Sequence, residues 1–157
     1  MIDRVVLVTK KTEYAELVER FGTVGQARFF IKSSGGNFDA YERAHKIYET
    51  AVESIRKSVP GDVRFAEIDR SFVATYLFDP TALVVTLGPD GLVINVAKYL
   101  SGQPILAFTP EPGKTGKILA SQAPAWAKAV VQKALRGQMQ SRRMTMAEAK
   151  LNDGQRL

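Results

Sequence analysis

Short apolar runs alternate with longer stretches whose apolar positions recur every three or four residues, the pattern of strands and helices taken in turn. Arg4 to Thr9 (RVVLVT) predicts a buried strand, and Thr12 to Phe21 predicts a helix with Tyr14, Leu17, Val18 and Phe21 on one face, stopped by Gly22. Gly25 to Lys32 fits helix and strand equally. Ser33 to Asn37 is a loop. From Phe38 to Val59 the spacing of Tyr41, Ala44, Tyr48, Ala51, Val52 and Ile55 predicts the longest helix, ended by Pro60-Gly61. Val63 to Ile68 alternates as a strand, and Ser71 to Phe78 reads as a short helix before Pro80.

The run ALVVTL from Ala82 is followed by Gly88-Pro89-Asp90-Gly91, then by the helix-period segment LVINVAKYL, Gly102 and a second apolar run PILAF. Strand, helix and strand in about 30 residues make a βαβ unit, which places the two strands parallel. The expected fold class is therefore α/β, a parallel open sheet with helices on both faces. Trp126, Ala127, Val130, Val131 and Ala134 mark one more helix, ending near Gly137, with Trp126 expected in the core. Beyond it the pattern changes. Residues 143–150 alternate, Asn152-Asp153-Gly154 signals a turn, and Gln155 begins a second strand, so residues 1–140 are expected to form the α/β domain and 141–157 the start of a β-rich second domain, cut short as a truncated hairpin.

Composition narrows the setting. The chain is 45% hydrophobic and 24% charged, near globular averages, with no run approaching the roughly 20 apolar residues of a membrane helix. No export signal is visible, and zero cysteines exclude disulfides, thiolate zinc sites and cysteine nucleophiles, which fits a cytoplasmic protein. The net charge of +6 favours anionic partners. The basic residues are scattered, with bunching only at Lys10-Lys11, Lys114/Lys117 and Arg142-Arg143, and no helix-turn-helix, zinc or RNP pattern accompanies them; a nucleic-acid-binding domain is the weakest reading.

Chemistry concentrates at Gly88 to Gly91. In an open parallel sheet ligands gather beyond the carboxyl ends of strands, where the first amides of the next helix present partial positive charge to an anion. Glycine lets backbone approach a phosphate closely, and a carboxylate among glycines can accept a hydroxyl proton or orient a sugar hydroxyl. The alternative for Asp90 is an ordinary helix cap. Pro89 removes one amide donor from the turn. Gly113-Lys114-Thr115 resembles the end of a P-loop, but the first required glycine falls at Phe108, and Pro110 and Pro112 delete two amides. His45, with no second histidine in the chain, is expected at the surface or rim, and Phe38, Tyr41 and Tyr48 in a packing stripe.

The run LVVTLGPDGLVINVAKYLSGQPILAF resembles the glycine-rich GGDG region of the NAD kinase family, and the order of elements is similar from Arg4 to Leu157. The resemblance implies that Gly88 and Gly91 line a phosphate path and that Asp90 lies near a ribose 2′-hydroxyl as base or orienter. It further implies ATP or polyphosphate as phosphoryl donor, NAD as acceptor, Mg2+, and a homo-oligomer. The chain departs from the family at Pro89, where a glycine is usual, and at Thr109 to Gly113, where an asparagine-containing loop is usual; Thr109 is the residue left to hydrogen-bond a ribose or phosphate. The family's Asn-Glu pair would lie beyond Leu157. The expected function is thus NAD kinase-like phosphoryl transfer in an intact parent, with little or no turnover by residues 1–157. The competing function is a non-catalytic nucleotide-binding or regulatory homologue.

Overall fold

The computed structural model describes residues 2–114, 118–147 and 152–154. Four strands, β1 (Arg4–Thr9), β2 (Arg64–Asp69), β3 (Ala82–Leu87) and β4 (Ile105–Phe108), form one all-parallel sheet in the order β2-β1-β3-β4. Among the described residues five α-helices accompany them: α1 (Glu13–Phe21), α2 (Val24–Ser33), α3 (Phe38–Ser58), α4 (Asp90–Ala97) and α5 (Ala127–Leu135). Among the described residues no helix is long and apolar enough to cross a membrane.

The central strands are buried on both faces, and strand periodicity sorts their side chains between them. Val5, Leu7, Leu83, Val85, Leu87, Leu106 and Phe108 face Tyr48, Ala51, Val52 and Ile55 of α3 and Ala127 and Val131 of α5. Val8 and Val84 meet Leu92 and Val96 of α4 and Val73 on the opposite face. β1 and β3 lie centrally, which is why RVVLVT and ALVVTL are continuously apolar. A fully buried Leu or Phe at such a position stabilises the fold by roughly 1.5–3 kcal/mol relative to exposure.

Helix boundaries follow from local chemistry. Thr12 caps α1 by accepting from the Ala15 amide at 3.3 Å, Glu13 and Glu16 occupy the first turn, and Gly22 ends it in the left-handed region at φ 80. The ambiguous segment after Gly25 is helical. Thr23 supplies the cap, accepting from Gln26 at 3.2 Å, and Phe30 packs on Phe21 with ring centroids 4.5 Å apart.

Two expectations change. Ser71 to Phe78 does not form an α-helix: a single 3₁₀ turn, Arg70–Phe72, starts where Asp69 accepts from the Ser71 amide at 2.9 Å, Val73 is the one buried residue of the stretch, and Phe78 packs partly buried against the same cluster. Trp126 is 68% exposed, because a 3₁₀ turn, Pro124–Trp126, precedes α5 and the helix buries Ala127 and Val131 instead. Residues 141–147 have no regular structure; the rest of the expected hairpin, apart from 152–154, lies outside the described residues.

Candidate functional site

β1 leads through three helices to β2 on one side, whereas β3 leads through α4 to β4 on the other. The direction of winding therefore reverses between β1 and β3. At such a switch the loops leaving neighbouring strands diverge and open a crevice at the carboxyl edge of the sheet. Here the two loops are Lys10 to Thr12, after β1, and Gly88-Pro89, after β3. The turn singled out from sequence thus borders the crevice that topology alone would choose.

Within the turn each residue has a separate part. Gly88 is buried and donates its amide to the Phe108 carbonyl at 3.0 Å; a Cβ there would lie 3.0 Å from Leu92 Cδ2, so a side chain at this position would have to displace Leu92. Pro89, not Asp90, occupies the N-cap position of α4, and its carbonyl accepts from the Leu92 amide at 2.9 Å. Gly91 is exposed, and a Cβ built on it meets nothing within 4 Å. The backbone of the first turn is open to an approaching group at Gly91.

Asp90 does not cap its own helix. Its Oδ1 accepts from the amides of Leu119 (3.1 Å) and Ala120 (2.9 Å), and its Oδ2 from the amide of Ile118 (3.1 Å). Three consecutive N–H groups on the β4–α5 connection thus engage at least three of the roughly four acceptor positions of a carboxylate. Ala120 is fully buried beside Val93 and Ala107, so the connection is fastened by packing as well as by Asp90. The carboxylate is held rigidly at the rim. These bonds leave at most about one acceptor position for any further donor.

Thr109 is 1% exposed; its amide donates to Gln122 at 3.0 Å and its hydroxyl to the Glu111 carbonyl at 3.4 Å. Its polar atoms are directed into the loop that it begins. Lys114 pairs with Glu111 at 2.8 Å, and Thr115 to Lys117 of the P-loop-like segment lie outside the described residues.

On the β1 side stand groups that the sequence places at the surface or in a packing stripe, not in a site. Thr9, Lys10, Lys11, Thr12, His45 and Tyr48 line a cleft of about 200 Å³ at the carboxyl ends of β1 and β2. Thr12 Oγ1 and His45 Nδ1 share a hydrogen bond at 2.8 Å, and the His45 ring stacks on Tyr14 with centroids 4.7 Å apart. Lys11 pairs with Glu19 at 2.7 Å. Tyr48, 5% exposed, accepts from the Lys10 amide at 2.8 Å and donates to the Leu87 carbonyl at 3.2 Å. Burial pushes its phenol up to about 12. The signal for Tyr48 was available: a tyrosine in an apolar helical stripe must find a partner for its hydroxyl.

A second groove, of about 650 Å³, runs between α3 and the connections flanking Thr109 and α5, where Arg43 and Lys46 rim a floor of Ile47, Pro110, Pro112 and Pro124. Neither cavity is lined by Gly88, Asp90 or Gly91. Among the described residues no three His, Asp or Glu side chains are grouped to hold a metal. The one carboxylate of the turn, Asp90, is engaged by three amides, a set that does not by itself fit a resident divalent ion. Compared with known proteins, the chain matches no protein-family model and no curated protein.

Proposed function

We propose that this chain is a nucleotide-binding α/β domain of the NAD kinase type, with the phosphates of the nucleotide lying along the Gly88–Gly91 turn at the switch between β1 and β3. The observation that carries the reading is the division of labour between the two glycines: Gly88 is enclosed by the fold, whereas Gly91 has open space where a side chain would be. A glycine without a packing reason, at the N-terminal turn of a helix beside a topological crevice, is what close approach of an anion requires. ATP or polyphosphate and NAD are the proposed ligands, and a cytoplasmic homo-oligomer is the proposed setting.

In the kinase reading, phosphoryl transfer to a ribose hydroxyl depends on positioning and charge neutralisation more than on covalent chemistry by the protein. The grip of three amides on Asp90 supports a role as orienter of a hydroxyl over a role as free base. The same grip, with Pro89 lacking an N–H, supports the second reading, a nucleotide-binding homologue without turnover.

Calorimetric titration with MgATP and with NAD tests binding, and NADP formation tests turnover. Gly91→Ala separates ligand approach from folding. Ala is favoured over Gly inside a helix by up to about 1 kcal/mol, and here it meets no neighbour. The variant should be at least as stable as the wild type while losing tenfold or more in nucleotide affinity. Unchanged affinity would remove the turn from the site, and wild-type protein that binds neither nucleotide at millimolar concentration would end the nucleotide reading.

A further inference from the structure

We propose that Tyr48 is a positioning residue that joins the two walls of the crevice into a single preformed ligand site. The proposal rests on the nucleotide reading for the identity of the ligand, but not for the coupling itself. The Tyr48 hydroxyl contacts the first residue after β1 and the last residue of β3: it accepts from the Lys10 amide at 2.8 Å and donates to the Leu87 carbonyl at 3.2 Å. Leu87 immediately precedes Gly88, and Lys10 immediately precedes the Lys11-Thr12 turn. β1 and β3 pair in register only as far as Val8 opposite Thr86, so beyond that point the ladder no longer sets the separation of the two chains. One phenol oxygen spans the gap where the ladder stops.

The link is well protected. Tyr48 is 5% exposed, its ring lies within the core cluster with Leu87 and Leu7, and it is carried by the longest helix. Its phenol, pushed up to about 12 by burial, keeps its proton and thus its role as donor throughout the physiological range. A Phe at this position would keep the packing and lose both bonds. The packing function of the stripe alone therefore does not account for a tyrosine. A ligand touching both the glycine turn and the Lys10–Thr12 turn would meet walls already at their bound separation, so less ordering would oppose binding.

Tyr48→Phe tests this in the full chain by amide hydrogen exchange and MgATP titration. Faster exchange at Lys10 is trivial, because its acceptor is gone. The informative readout is the amides of Gly88, Asp90 and Gly91, since the amide that donates to the Tyr48 hydroxyl is that of Lys10: exchange there should rise at least tenfold while β2 is unchanged, and MgATP affinity should fall at least tenfold with Tm within a few degrees of wild type. Acceleration confined to Lys10, or unaltered affinity in a protein that binds MgATP, would overturn the proposal. If the wild type binds no MgATP, the nucleotide reading fails, while exchange at 88–91 still decides the coupling. Should the variant not fold, wild-type exchange across a denaturant series decides: Lys10 and 88–91 should open with a common dependence, and divergent dependences would refute the link.

Discussion

Asp90 shows how one side chain can take a role that its own neighbours do not suggest. Its sequence context, between Pro89 and Gly91 at a helix start, suits a cap or a catalytic carboxylate, yet its acceptors serve amides 28 to 30 positions along the chain. Asp90→Asn leaves one carbonyl oxygen and adds an NH2 facing N–H donors. It should destabilise the protein by about 1–3 kcal/mol, measured by urea unfolding, with accelerated amide exchange at 118–120. A loss below a few tenths of a kcal/mol would show that packing of Ala120 alone holds the connection. Thr86 is the other informative residue: it is fully buried on β3, and its hydroxyl has no hydrogen-bond partner among the described residues. Thr86→Val retains the shape and removes the unsatisfied group, so the midpoint of unfolding should rise, by about 1 kcal/mol of stability. A fall of that size would indicate that the hydroxyl has a partner in the folded protein.

Among the elements, α1 and α3 place the β1 side of the crevice. Thr12 starts α1 with its cap and meets His45 of α3 through the same oxygen. Thr12→Ala should therefore cost about 1 kcal/mol, in the usual range for a lost cap, and Thr12→Ser should restore most of it; equal stability of all three proteins in urea would show the cap to be inconsequential. Element existence was largely legible because both central strands are continuously apolar and α3 keeps its stripe through Tyr48, Ala51, Val52 and Ile55. The less legible stretches carry few buried residues. α2 buries only Ala27, so periodicity could not choose its type and the Thr23 cap decides it; the segment after Arg70 is anchored by Val73, too little to hold a full helix. Trp126 misled for a related reason: large apolar side chains usually enter cores, but the 3₁₀ turn rotates this one outward and smaller residues pack the helix.

For the molecule as a whole, the acid limb of stability has identifiable sources. The Thr81 amide, then its hydroxyl, hold the Asp79 carboxyl below its ordinary value of 3.8. At Asp69, burial works upward, but the Ser71 hydroxyl and amide, with Lys11, outweigh it and bring the carboxyl down. A carboxyl depressed in the folded state binds its proton more readily when unfolded, so its contribution is present above the ordinary value and is lost as pH falls through the folded one. Tm should be insensitive to these groups at neutral pH and decline once pH drops below about 4. Asp79→Asn should flatten part of that decline; an identical Tm profile from pH 2 to 5 would remove Asp79 as a source.

By itself the sequence determined the succession of strands and helices, the βαβ unit and the placing of Gly88 to Gly91 between a strand and a helix, because all of these follow from hydrophobic period and from the backbone preferences of glycine and proline. It also made Asp90 a candidate. Only the tertiary structure decided the strand order β2-β1-β3-β4, and with it the reversal of winding that brings the Lys10 and Gly88 turns side by side at the carboxyl edge of the sheet. The partners of Asp90, the bond from the Thr109 amide to the Gln122 carbonyl and the two hydrogen bonds of Tyr48 belong to the same category. Each joins residues far apart along the chain, and propensity and periodicity act over a few neighbouring residues, whereas a hydrogen bond between distant segments exists only after the sheet has fixed where those segments meet.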